Sequence, residues 1–214
     1  MKSFLRPDAE VVASYIDLRI RLIDLLGSLP DEIGERVVPH CPAWTVGDLA
    51  AHIVGTPEDI VAGRMEGVTT DAWTQAQVDR HRGESPAVLA RSFSDTAAAF
   101  DPVLPHIPSP VNSQLVMDAV THEHDLRHAV GRIDARESSA VVVGLGWLLD
   151  MADRRQPGLA NELLASGASR FDLLRVLTGR RSPAQIAALG LDTDRVLELL
   201  TGTPLRPPAE AIHE

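Results

Sequence analysis

The chain has 214 residues, 44% of them hydrophobic but only 4% aromatic, and a formal net charge of −10. That content supplies one real core, and with so few aromatics the core must be aliphatic, a composition that favours helices. The acid excess, with no basic cluster beyond Arg154-Arg155 and Arg180-Arg181, argues against a nucleic-acid partner.

In chain order, the opening Met-Lys-Ser-Phe-Leu-Arg-Pro-Asp has no signal-peptide apolar core. No apolar run approaches the ~20 residues that span a bilayer. Both features predict a cytoplasmic protein without a membrane partner. The spacing of Val12, Tyr15/Ile16, Arg19, Leu22/Ile23, Leu26 and Leu29 predicts a first helix over 8–29, ended by Gly27 to Pro30. After a loop to Trp44, Thr45 and Asp48 have capping-box spacing, and Val46, Leu49/Ala50 and Ile53 start a second helix with His52 at the edge of its stripe. Residues 67–85 are polar and aperiodic, a long loop with a short helix near 71–79. Ser85-Pro86 opens a third long helix, running to about Leu104 with Leu89, Phe93, Ala97 and Phe100 inward. Four prolines between 102 and 110 separate it from a central helix over roughly 112–131, and a further helix follows over 138–153. Shorter helical pieces are predicted at 159–165, 170–177, 183–189 and 194–200, and no strand is expected anywhere. The expected domains are a bundle over 1–155, a helical extension over 156–202, and an extended or disordered tail over 203–214. The fold class is all-α: an up-down four-helix bundle with additional short C-terminal helices.

The central helix carries the chemistry. Leu115, Asp118, His122, Asp125/Leu126 and Ala129 share one face, yet three of those positions are ionisable. Burying a carboxylate or imidazole requires a compensating partner: a metal, a hydrogen-bond network or a wet cavity. Asp118 and His122 at i, i+4 have Cβ atoms about 5–6 Å apart, close enough to ligate one ion together. Cys41 is the single cysteine, which excludes an internal disulfide and leaves His and carboxylate to hold any transition metal. Cys41 and Trp44 read as packing residues and Asp48 as a cap. His40, His81, His106, His128 and His213 read as surface.

Three stretches carry a resemblance. Cys41-Pro-Ala-Trp44-Thr-Val-Gly-Asp48-Leu-Ala-Ala-His52, Met117-Asp118-Ala-Val-Thr-His122-Glu-His124-Asp125-Leu126 and Leu174-Arg-Val-Leu-Thr-Gly179-Arg180-Arg181-Ser182 resemble, in order and spacing, motifs of the mycothiol-dependent maleylpyruvate isomerase-like proteins. These belong to the DinB/YfiT-like superfamily of metal-binding four-helix bundles. The resemblance implies a divalent metal, usually zinc, held by His52 and by the pair on the later helix. It also implies a mycothiol-type thiol as co-substrate. The isomerase pattern has Glu then His in that pair, where this chain has Asp118 then His122, so His124 and Asp125 are fallback ligands. Asp125 shares the His122 face and can instead orient its ring. His124 points about 200° away. The family's small α/β C-terminal domain has no strand-rich counterpart here.

The expected function is a metal-dependent, thiol-dependent isomerase or S-transferase acting on a small electrophilic metabolite. His52, Asp118 and His122 are the metal ligands, His122 and Asp125 the catalytic groups, and Arg180 and Arg181 a grip for a substrate carboxylate. The competing reading of Arg180 and Arg181 is a basic pair at a helix C-terminus. The alternative for the whole protein is a metal-free bundle, either binding a small ligand or using Asp118, His122 and Asp125 as acid/base groups in a natural-product pathway. A monomer or homodimer is expected.

Overall fold

The computed structural model describes residues 3–214. Among them the fold is an all-α helical bundle of ten α-helices: α1 (Asp8–Gly27), α2 (Val46–Ala62), α3 (Asp71–Arg80), α4 (Pro86–Phe100), α5 (Val111–Ala129), α6 (Ser139–Arg155), α7 (Leu159–Ala165), α8 (Arg170–Leu177), α9 (Pro183–Ala188) and α10 (Thr193–Leu200). No described helix is long and apolar enough to cross a membrane.

The expectation of no strand fails at one place. Val37–Val38 (β1) pairs antiparallel with Cys41–Thr45 (β2), with an irregularity in register between Val37 and Val38. Strands this short, one containing Pro42, have no period-two pattern to read.

The chain forms two compact units. One comprises Tyr15–Pro108 and His122–Ile133. Here α2 packs on α3 and α4. Leu18, Leu22, Leu25 and Leu26 of α1, Leu49 and Ile53 of α2, and Leu89, Phe93 and Phe100 of α4 are buried. Of the expected α1 stripe, Tyr15, Arg19, Leu22 and Leu26 are buried and Val12, Ile16, Ile23 and Leu29 half-buried, and Leu18 and Leu25 are buried beside them. Arg19, a misfit in the apolar stripe, is matched by a bidentate pair with Asp101 just past α4. The start of α2 is fixed locally: Thr45 Oγ1 accepts from Asp48 N at 3.1 Å while Thr45 N donates to Asp48 Oδ2 at 3.0 Å.

His81 is not a surface residue. It is buried at the C-terminal end of α3, with Nε2 2.9 Å from Glu58 of α2 and Nδ1 2.9 Å from Glu84. Its pKa is raised above 6.5, most by the hydrogen bond to Glu58; burial opposes the shift and Glu84 adds to it. Burial pushes Glu58 up, but the His81 hydrogen bond and charge, with Arg80, outweigh that and hold it below 4.5. A raised His pKa stabilises fully below 6.5, and that stability is lost as pH rises through the folded-state value. A lowered Glu pKa stabilises above 4.5, and that stability is lost as pH falls through the folded-state value. The contact is therefore strongest between those two reference values. His81→Gln is expected to lower the melting temperature more at about pH 5.5 than at about pH 8.5. An equal loss at both would mean that His81 is not charged in this contact. Of the other histidines read as surface, His106 and His213 are exposed, but His40 and His128 are half-buried with ring centroids 5.2 Å apart.

The other unit comprises the described residues up to Ser14, Ser109–Thr121 and Asp134–Glu214. In it α6 packs on α7 and α8, and α10 on α8 and α9. Gly144 lets α6 approach the first part of α5 closely: a Cβ there would lie 3.0 Å from Val120 Cγ1 and 3.1 Å from Met117 Cα. Arg175 is fully buried, its Nε donating to Glu214 at 2.9 Å and its Nη1 to the Thr121 carbonyl at 3.2 Å. Residues 203–214 have no helix or strand and are tied to α8 and α9 through Glu214 and through the Ile212 carbonyl, which accepts from Gln185.

Candidate functional site

His52 projects from the second turn of α2 and His122 from α5. Both lie in the unit that begins at Tyr15, with ring centroids 5.2 Å apart and rings nearly perpendicular. Trp44, at the end of β2, has its ring centroid 5.5 Å from that of His52 and 6.2 Å from that of His122. Trp44 stands in β2, whose pairing with β1 the sequence hides. Asp125 is fully buried three residues after His122, and its Oδ2 lies 3.2 Å from His122 Nδ1. The same oxygen is 3.7 Å from Cys41 Sγ. The ligand atoms of Cys41, His122 and Asp125 all lie within 4.8 Å of one another. Asp118 is one turn before His122 on the continuous helix α5, half-buried and on the same helix face.

Two neighbours of this cluster were missed from sequence. Gln77 of α3 is completely buried, and its Oε1 lies 2.7 Å from His52 Nδ1. Its Nε2 lies 2.8 Å from Oδ2 of Asp59, a buried residue of α2. Asp59 also takes Arg64 Nε at 2.6 Å and Arg80 Nη2 at 2.8 Å on its Oδ1. A signal for Asp59 was present: His52, Thr56 and Asp59 fall at i, i+4 and i+7, a polar line along one face of α2. Nothing local marks Gln77, which sits in a short helix with no apolar stripe.

The approach of α3 to α2 depends on Gly55. A Cβ at Gly55 would lie 2.6 Å from Gln77 Cβ and 2.8 Å from Gln77 Cγ. Gly55→Val is expected to destabilise the protein by about 1–3 kcal/mol through overpacking, read as a lower urea midpoint at unchanged m-value. A variant as stable as the wild type would show that α3 yields freely.

His124 is buried on a different side of α5 from His122, and its neighbour Glu123 is paired with Arg21 and Arg127. Arg180 and Arg181 lie in the other unit, just after α8. Arg180 Nη1 donates to the Thr178 carbonyl at 2.7 Å. The Arg181 guanidinium is shared between Glu214 at 3.3 Å and Asp172 at 3.4 Å, with Phe171 beneath it.

Residues 17–140, more than half of the chain, match the family described as the mycothiol maleylpyruvate isomerase N-terminal domain. The chain belongs to that family. No curated protein and no solved structure matches it. The span matched to the mycothiol maleylpyruvate isomerase N-terminal domain holds Cys41, Trp44, His52, Asp59, Gln77, Asp118, His122 and Asp125, and leaves Arg180 and Arg181 outside.

Proposed function

We propose that the protein is a metal-dependent enzyme using a mycothiol-type thiol to isomerise, or to attach to the thiol, a small electrophilic metabolite. The observation that carries this reading is the pair His52 and His122, ring centroids 5.2 Å apart, each with Nδ1 against a fixed side-chain oxygen. The two imidazoles, His52 and His122, supply nitrogen ligands of the kind a zinc-type ion takes. Bound there, the ion would lower the pKa of a small thiol and hold its sulfur as the thiolate nucleophile.

The rest of the work falls to the chain. Asp125, as a carboxylate, accepts the Nδ1 hydrogen of neutral His122, which fixes the tautomer and keeps the Nε2 lone pair for ligation. Trp44 gives the two imidazoles an apolar, flat neighbour. Cys41 Sγ stands 3.7 Å from Asp125 Oδ2 and is assigned no nucleophilic role. Thiol chemistry from a co-substrate also agrees with the family to which residues 17–140 belong.

The test is zinc-dependent melting of chelator-stripped protein, followed by turnover of maleylpyruvate with and without mycothiol. Zinc at ~100 times its Kd is expected to stabilise the native state by about 2.7 kcal/mol, and turnover should require both zinc and thiol. An unchanged melting curve would end the metal reading and leave a metal-free pocket.

A further inference from the structure

We propose that Gln77, anchored by Asp59, is a positioning residue that fixes His52 as its Nδ1–H tautomer and so leaves Nε2 as the ligating nitrogen. The proposal rests on the metal reading above and names the device that prepares its first ligand.

Asp59 Oδ1 is held by two guanidiniums, Arg64 at 2.6 Å and Arg80 at 2.8 Å. A carboxylate so placed only accepts hydrogen bonds. Its other oxygen, Oδ2, faces the Gln77 amide at 2.8 Å, so the NH2 end of that amide must point at Asp59. The carbonyl end, Oε1, then faces His52 Nδ1 at 2.7 Å. A carbonyl oxygen also only accepts, so Nδ1 must carry the hydrogen. In a neutral imidazole the lone pair then sits on Nε2. Gln77 is 0% exposed and Asp59 2% exposed, so water does not compete to reverse the polarity of the relay. Gly55, with no side chain to hold α3 away, permits the contact. His122 gains the same tautomer from Asp125, so the two imidazoles are prepared alike by different means.

The experiment is a long-range 1H–15N spectrum of zinc-free protein carrying 15N-labelled histidine, joined to zinc affinity measured by competition with a chromophoric chelator. In the wild type, His52 is expected as the Nδ1–H tautomer. Gln77→Met keeps the length and removes the acceptor: the Nε2–H tautomer should become populated and zinc should bind about 10–100-fold more weakly. Asp59→Asn can turn its NH2 toward Gln77 and reverse the relay, so it too should populate the Nε2–H tautomer, giving a second route if Gln77→Met does not fold. Nε2–H at His52 in the wild type overturns the proposal, as does an unchanged tautomer in folded Gln77→Met or Asp59→Asn. If the wild type binds no zinc, the metal reading fails on its own, and the tautomer of zinc-free protein still decides this proposal.

Discussion

Replacing Glu123 with alanine is expected to lower the unfolding free energy by about 3–5 kcal/mol, because it removes a buried carboxylate that two guanidiniums share. Glu123 is completely buried on α5. Arg21 of α1 grips both of its oxygens, at 2.9 and 2.8 Å, and Arg127, one turn later on α5, adds a third bond at 3.0 Å. Arg127 has a side chain only 7% exposed, so the truncation takes a carboxylate from a guanidinium that is largely out of water. The matched control is Arg6→Ala. Arg6 and Glu10 form an exposed i, i+4 pair, and an exposed pair of this kind contributes about 0–1 kcal/mol. Urea unfolding of the two variants should therefore give midpoints far apart at similar m-values. Equal, small losses would mean that water reaches the Glu123 network. This network ties the part of α5 that carries His122 and Asp125 to α1.

His122→Ala is expected to weaken zinc binding by more than ~100-fold, beyond the ~10–100-fold that loss of a ligand's supporting partner usually costs. His52→Ala should do the same. Asp125→Asn, which keeps an oxygen near His122 Nδ1 but loses the charge, should fall inside the smaller range. His124→Ala is the informative comparison: it is buried on the same helix, but on a different side. It should change zinc affinity by only a few-fold at most, whatever it does to stability. Metal content of the purified proteins and chelator competition read all four. Equal losses in His122→Ala and His124→Ala would point to a general disturbance of α5 and count against ligation by His122.

What the sequence determined by itself was local. The helical class, most helix limits and the Thr45–Asp48 capping box follow from spacing within one or two turns, where side chain and backbone interact along the same helix. The polar interruption Asp118, His122 and Asp125 was visible for the same reason: a charged residue breaks an apolar stripe wherever it stands. The family resemblance was carried by motifs of this local kind, and the match over residues 17–140 shows that family.

Only the tertiary structure decided who meets whom. His52 and Gln77 are 25 positions apart, and Arg21 and Glu123 are 102 apart. Such contacts depend on how helices pack, which a periodic pattern leaves open. The two-stranded pairing before α2 and the burial of His81 between two glutamates have the same origin. Each places a polar group whose partner lies on another element, and burial then makes that partner obligatory. Arg180 and Arg181 show this from the other direction: as sequence they are two adjacent charges, and packing supplies the Thr178 carbonyl, Asp172 and Glu214 that receive them.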